Sequence, residues 1–259
     1  MIESLYIAET GMTSQQRLID VISNNIANAS TPGFKKTNLS FVDLVYQTTP
    51  NSNTDLGSLS SSTNNGAGVK IMTGMKDFTI GDLKPTGNPF DLAIQGDGFI
   101  EVEMPSGDYA YTRAGRMRLD EDGNLVTAHG YKLSTNIQLP PDAKNMTISS
   151  DGRVMVELDG SEEIQEIGQI ELTKFTNNEG LDNLGNNLYG ASDRTGSAMY
   201  SKPGELGTGQ ILQGSTEVSN VSMTEEMVNL MLAQRGYQLN ARIIQVSDQL
   251  LDTINNLRR

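Results

Sequence analysis

MIESLYIAETGMTSQQRLIDVISNNIANASTPGFK, residues 1–35, and SMTEEMVNLMLAQRGYQLNARIIQVSDQLLDTINNLRR, residues 222–259, decide the architecture of this chain. In the first stretch Leu5, Met12, Ile19 and Ile26 recur every seven residues, and Ala8, Gln15, Ile22 and Ala29 fill the interleaved positions. That is a seam at helical spacing with one polar interruption. In the second stretch Met223, Met227, Leu230, Gln234, Tyr237, Ala241, Ile244, Asp248 and Leu251 form another seam, with Gln234 and Asp248 as its polar members. A helix of this kind must be covered by another.

The spacing predicts a first helix from about Ser4 to Asn28, stopped at Ser30-Thr31-Pro32-Gly33. Proline biases the residue before it away from helix, and glycine permits the turn that follows. The second helix is expected to begin near Ser222 or Thr224, where capping candidates precede Glu225 and Glu226 in the first turn. Continued to about Leu257 it is on the order of 50 Å long, with Arg258 and Arg259 at its negative dipole end. On an adjoining face Leu232, Leu239, Ile243, Val246, Leu250, Ile254 and Leu257 make a second apolar stripe. The two helices could simply pair as a local hairpin, but one partner helix cannot cover both stripes. Identical subunits are the economical source of the missing cover. If their contacts are head-to-tail rather than two-fold, they do not close and a helical filament results.

Between the two helices the period changes. Phe34 to Tyr46 is mixed, and Gln47 to Gly68 is rich in Asn, Ser, Thr and Gly, which on composition alone reads as a mobile loop or linker. Ile100, Val102 and Met104 then alternate with Glu101 and Glu103, as in a half-buried strand. Val154, Val156 and Leu158 repeat the pattern between the turn signals Asp151-Gly152 and Asp159-Gly160, and Ile170 and Leu172 alternate again before Phe175. Further turn signals stand at Gly96-Asp97-Gly98, Asp122-Gly123-Asn124 and Asn183 to Asn187. Hairpins are expected to dominate the middle of the chain.

Composition removes most chemistries. A net charge of −13 over 259 residues argues against a nucleic-acid partner, whose phosphates are held by clustered Lys and Arg. The absence of Cys removes disulfides, thiolate metal sites and a Cys nucleophile. The first thirty residues lack the basic start, apolar block and cleavage site of a secretory signal, and no apolar run approaches the ~18 residues that span a bilayer. The expectation is a soluble chain that keeps its N-terminus.

His129, the only histidine, stands in Ala128-His129-Gly130-Tyr131 with no G-x-S-x-G elbow in the chain, and reads as a turn residue. Asp120-Glu121-Asp122-Gly123-Asn124 has the alternate carboxylates of a calcium loop, but the place of its bidentate Glu is taken by Tyr131, so a hairpin turn is expected. Aromatic residues are 5% of the chain and Trp is absent, a meagre platform for sugars. Gly66-Ala67-Gly68 and Gly207-Thr208-Gly209 lack the Lys-Ser/Thr ending of a phosphate loop. No catalytic residue, metal site or cofactor is expected.

Ser23-Asn24-Asn25-Ile26-Ala27-Asn28-Ala29-Ser30-Thr31-Pro32-Gly33-Phe34-Lys35 resembles the N-terminal signature of the bacterial flagellar rod and hook proteins. Two further stretches agree: Phe90 to Phe99 followed by Tyr111-Thr112-Arg113-Ala114-Gly115, and Glu217-Val218-Ser219-Asn220-Val221 with Gln234-Arg235-Gly236-Tyr237. The resemblance covers essentially the whole chain, and size and motif order are most similar to the rod members. It implies an α+β subunit with three parts. Residues 1–33 and 218–259 would be paired terminal helices in an inner α-helical domain, 34–75 an extended connector carrying a rod-type insertion, and 76–217 a β-rich outer domain. The connector stretch Gln47 to Gly68 then becomes a packing element that stiffens the rod, ordered on assembly. Gly236 stands where the family commonly has Ala, at a helix-interior cost of roughly 0.5–1 kcal/mol.

What the resemblance implies for function is mechanical: a self-assembling, helical homo-oligomer in the basal body, crossing the periplasm and exported without a cleaved signal peptide. Its partners would be proximal rod and hook proteins, the surrounding outer-membrane and peptidoglycan ring proteins, and the flagellar export apparatus. Leu5, Met12, Ile19, Ile22, Ile26, Met223, Met227, Leu230, Tyr237, Ile244 and Leu251, with the second-stripe residues Leu239, Ile243, Val246 and Leu250, are the expected assembly seams. Asn24, Asn25, Ala27, Asn28, Thr31, Pro32, Gly33, Phe34 and Lys35 are the expected motif residues. A proximal rod or hook protein of the same family is the nearest alternative, and a secreted carbohydrate-acting enzyme or adhesin is the remote one from another class.

Overall fold

The computed structural model describes residues 2–44, 47–48, 64–66, 68–159 and 164–257. Most of the Asn/Ser-rich stretch 47–68, Gly160, Arg258 and Arg259 therefore lie outside the described residues. The fold is α+β: a helix at each end of the chain and strands between them. The chain clusters into two compact units, one of residues 1–27, 37–75 and 222–259, the other of residues 28–36 and 76–221.

In the first unit α1 (Ile2–Ala27) and α2 (Met223–Leu257) pack side by side. They run antiparallel: Gly11 lies opposite Asn240, Gln15 opposite Gly236, and Asn25 opposite Glu226. The face of α2 turned to α1 carries small and polar residues, with Glu226, Ala233 and Ser247 buried and Gly236 and Asn240 half-buried. The strands Phe41–Asp43 and Val69–Ile71 pair antiparallel, with Val42 opposite Lys70, and the second of them lies against α1. Ser222 starts α2 by accepting the Glu226 N–H on its carbonyl at 3.0 Å, and Glu225 and Glu226 sit in the first turn, where the helix dipole favours negative charge.

The second unit is built of antiparallel hairpins. Its largest sheet runs in the order Met117–Leu119, Leu125–Thr127, Lys132–Leu133, Phe99–Glu103, Tyr109–Thr112, Leu188–Gly190, Asp182–Gly185, and Leu172–Phe175 also pairs with Phe99–Glu103. Alternation sorts the side chains onto two faces. Ile100, Val102, Ala110 and Leu188 enter an aliphatic core with Leu92, Val154 and Val156. Phe99, Tyr111 and Tyr189 point the other way and meet Phe78 and Phe175 in edge-to-face contacts, such as Tyr111 to Phe175 at 4.7 Å between centroids. A three-stranded sheet, Ala143–Ile148, Arg153–Leu158 and Ile164–Gln169, supplies Val154 and Val156 to the aliphatic core. Asp120 to Asn124 is a hairpin turn in which Gly123 takes φ +79°, and His129 lies in the turn before Lys132–Leu133.

Candidate functional site

Within the second unit the segment after Thr31 meets the segment that leads to Ser222. Pro32 restricts the chain to a turn, and Gly33 takes φ +70°, where a Cβ would stand 2.8 Å from the backbone of Ala114. Only glycine satisfies both conditions. The Gly33 N–H donates to the Glu217 carbonyl at 2.9 Å, and Asn187 donates to the Pro32 carbonyl at 3.0 Å. The turn thereby delivers Phe34 and Lys35 inward. Lys76 covers Phe34, its Nζ 4.5 Å from the ring centroid, and donates to the Lys35 carbonyl at 3.0 Å.

Lys35, Glu217 and Arg113 form a buried ion cluster, their side chains 0%, 0% and 1% exposed. Lys35 Nζ donates to Glu217 Oε1 and to the Thr79 carbonyl, both at 2.5 Å. Glu217 Oε1 also accepts the Gly81 N–H at 2.9 Å, and Oε2 accepts Arg113 Nε at 3.0 Å. Arg113 Nη2 reaches the Gly96 carbonyl at 2.6 Å, and its guanidinium lies over Phe99, 5.8 Å from the ring centroid. Two cations thus share one carboxylate. Burial, and then the Arg113 charge, push the Lys35 ammonium below its ordinary pKa of 10.5, outweighing the pull of Glu217 in the other direction.

A second layer stitches the same two segments. The Lys36 N–H donates to Asn220 Oδ1 at 2.8 Å, and Asn220 Nδ2 donates to the Asp77 carbonyl at 2.8 Å and to Thr79 Oγ1 at 3.0 Å. Lys36 Nζ pairs with Asp77 at 3.6 Å. Burial alone would raise the Asp77 carboxyl, but hydrogen bonds from Thr79 and the Lys36 charge hold it below its usual value.

The cluster draws one charged residue from each of the three motif stretches: Lys35 from the first, Arg113 from Tyr111–Gly115, and Glu217 from Glu217–Val221. Of the other motif residues, Asn25 is buried in the first unit, where it donates to the Thr37 carbonyl at 3.1 Å, accepts the Thr37 N–H at 3.0 Å and meets Glu226 at 3.3 Å. Thr31, Pro32 and Asn28 are half-buried, whereas Asn24 and Ala27 are exposed.

The seam residues divide. On α1, Ile22 is buried and Leu5, Met12, Ile19 and Ile26 are half-buried. On α2, Leu230 and Ile244 are half-buried, and Met223, Met227, Tyr237 and Leu251 are exposed on the single chain. Leu239, at 62%, and Ile243, Val246 and Leu250 are also exposed. The intrachain helix contact therefore uses a face rotated from the apolar seam, where the side chains of Asn240 and Gln15 fill the space beside Gly11 and Gly236.

Three family models match the chain. One described as flagella basal body rod protein matches residues 5–35, one described as the flagellar hook protein FlgE/F/G D1 domain matches residues 93–156, and one described as the flagellar basal body rod FlgEFG protein C-terminal matches residues 212–257. Flagellar basal-body rod proteins FlgG are similar along the whole chain. That of Borreliella burgdorferi is 42% identical with 100% of both chains covered, that of Bacillus subtilis 41% with 100% of both, and that of Buchnera aphidicola from Schizaphis graminum 42% with 99% of this chain and 100% of its own. The chain belongs to the flagellar basal-body rod protein family. Each matched region of this rod-family chain contributes one member of the ion cluster: Lys35, Arg113 and Glu217 in turn. All three stand inside the sequence motifs, and no spacing rule pairs them. The available signal was that each is a single charge set among small or apolar neighbours: Phe34-Lys35, Thr112-Arg113-Ala114 and Thr216-Glu217-Val218.

Proposed function

We propose that the chain is a structural subunit of the distal rod of the bacterial flagellar basal body, self-assembling into a hollow helical shaft that carries torque from motor to hook and lets exported proteins pass. The observation that carries this reading is likeness to basal-body rod proteins over the full length at about two residues in five. The exposed apolar stripe on α2 supports it, because Leu239, Ile243, Val246 and Leu250 offer a continuous surface for neighbouring helices.

In this reading residues 1–33 and 218–259 line the inner tube, 34–75 connect subunits, and 76–217 form the outer layer. Stiffness comes from many close-packed axial helices, since packed interiors resist shear. The function asks for no reacting group or cofactor. The subunit sits in the rod as it crosses the periplasm, and meets proximal rod, hook, ring and export proteins. Polymerising the intact chain beside one lacking residues 47–66 tests the assignment. Straight tubes from the first and curved ones from the second are expected. Curved tubes from the intact chain would make it a hook-type subunit instead.

A further inference from the structure

The hairpin Met117–Leu119 and Leu125–Thr127 carries opposite charge at its two ends. Met117 pairs with Thr127 and Leu119 with Leu125, so the register places Arg116 beside Ala128 at one end and the turn Asp120 to Asn124 at the other. At the first end a recess of about 190 Å³ is lined by Arg116, His129, Thr31 and Asn187 among others. Arg118 and Lys132 both stand opposite Val126 in the middle of the sheet, and Lys132 also stands opposite Glu103. Among the described residues none of Arg116, Arg118, His129 and Lys132 carries an ion pair. At the other end Asp120, Glu121 and Asp122 are exposed, and among the described residues no cation pairs with them either.

In a chain of net charge −13 no carboxylate lines this recess, and that of Asp91, which bridges Arg116 through the backbone, is occupied by Thr86 and Asn88. Basic and acidic ends are held apart by three strand residues, about 10 Å, and paired strands cannot fold back to join them. They can meet only between molecules. From this juxtaposition we propose that the recess at Arg116 and His129 is the docking site for the acidic turn Asp120–Asp122 of a second copy of this chain. The contact joins two different surfaces, so it can repeat from copy to copy, and in the shaft reading it repeats along the polymer. It rests on the shaft reading and adds to it a charge-based register between outer-layer units. Exposed pairs of this kind steer approach and disfavour wrong registers more than they add affinity, and they weaken with salt.

The test is polymerisation of the full chain, followed by sedimentation and electron microscopy, with Arg116→Glu, Asp122→Lys and the double exchange Arg116→Glu/Asp122→Lys. Each single variant is expected to raise the critical concentration about tenfold at low salt, with circular dichroism and melting unchanged, and the difference is expected to shrink at high salt. The double exchange restores the pairing with its polarity reversed, and is expected to return assembly toward the natural chain. Unchanged critical concentration in both single variants, or a double exchange no better than they are, overturns the contact and leaves the shaft reading intact. Failure of the natural chain to form tubes overturns both.

Discussion

Glu217→Ala and Lys35→Met remove opposite charges from the same buried cluster, and the structure predicts very different costs. Loss of the Glu217 carboxylate strands two buried cations: Lys35 keeps only the Thr79 carbonyl, and Arg113 only Gly96 and the Phe99 ring. Breaking a buried pair in this way costs about 3–5 kcal/mol, a large share of the ~5–15 kcal/mol that holds a domain folded. Lys35→Met, by contrast, leaves Glu217 with Arg113 and the Gly81 N–H, and leaves Thr79 O with Asn220 Nδ2 at 3.3 Å. It also removes an ammonium whose charged form is disfavoured by burial and by Arg113, so its cost stays below about 2 kcal/mol.

Proton linkage supplies an independent signature. The folded-state pKa of Lys35 lies below 10.5, so in the window between the two the unfolded chain binds more protons, and the Lys35 contribution to stability rises with pH. Below the folded pKa the full penalty of the buried charge applies. Urea unfolding followed by far-ultraviolet circular dichroism, from neutral pH up to 10.5, checks both points. Burial also holds the Lys76 ammonium below 10.5 and adds a rise of the same sign, so equal losses for the two substitutions, or an alkaline rise no smaller in Lys35→Met than in the natural chain, would refute the reasoning.

Gly236→Ala is expected to stabilise the helix pair by up to about 1 kcal/mol, because its Cβ meets only the mobile end of Gln15 at 3.1 Å; a lower melting temperature would show the approach to be tighter than that. Gly33→Ala should instead cost about 1–3 kcal/mol, since φ is +70° and the backbone of Ala114 blocks the new atom; thermal melting decides this too. Ile22→Asp and Leu230→Asp place an unpaired charge at a helix contact, and sedimentation should find them unable to polymerise while the β-rich unit melts normally. Normal tubes from either variant contradict the seam assignment. Burial raises the pKa of Tyr111 and Tyr189 above the ordinary 10. The unfolded chain therefore loses those protons first, and stability falls as pH rises past about 10. A share of the tyrosinate absorbance that develops only together with unfolding, separate from that of exposed tyrosines such as Tyr6 and Tyr109, is the expected observation.

Much of the fold is legible in the residues. The stop at Thr31-Pro32-Gly33, the acidic first turn after Ser222, and the alternation of Ile100 with Val102 and Val154 with Val156 are local signals, and α1, α2 and those strands follow them. The face by which α2 meets α1 was not legible. Hydrophobicity points to Met223, Met227 and Tyr237, but contact geometry selects Ala233, Gly236 and Ser247, whose small size permits close approach. The ion cluster was hidden for a different reason. Lys35 and Glu217 are 182 positions apart, and Arg113 and Glu217 104, so no periodicity or spacing rule links them. Only the packing of the second unit brings them into contact.

Electron microscopy of the purified full chain, concentrated until it sediments, tests self-assembly into a shaft most directly. Straight hollow tubes are the predicted result. A chain that stays monomeric or forms only amorphous aggregate under those conditions would contradict it.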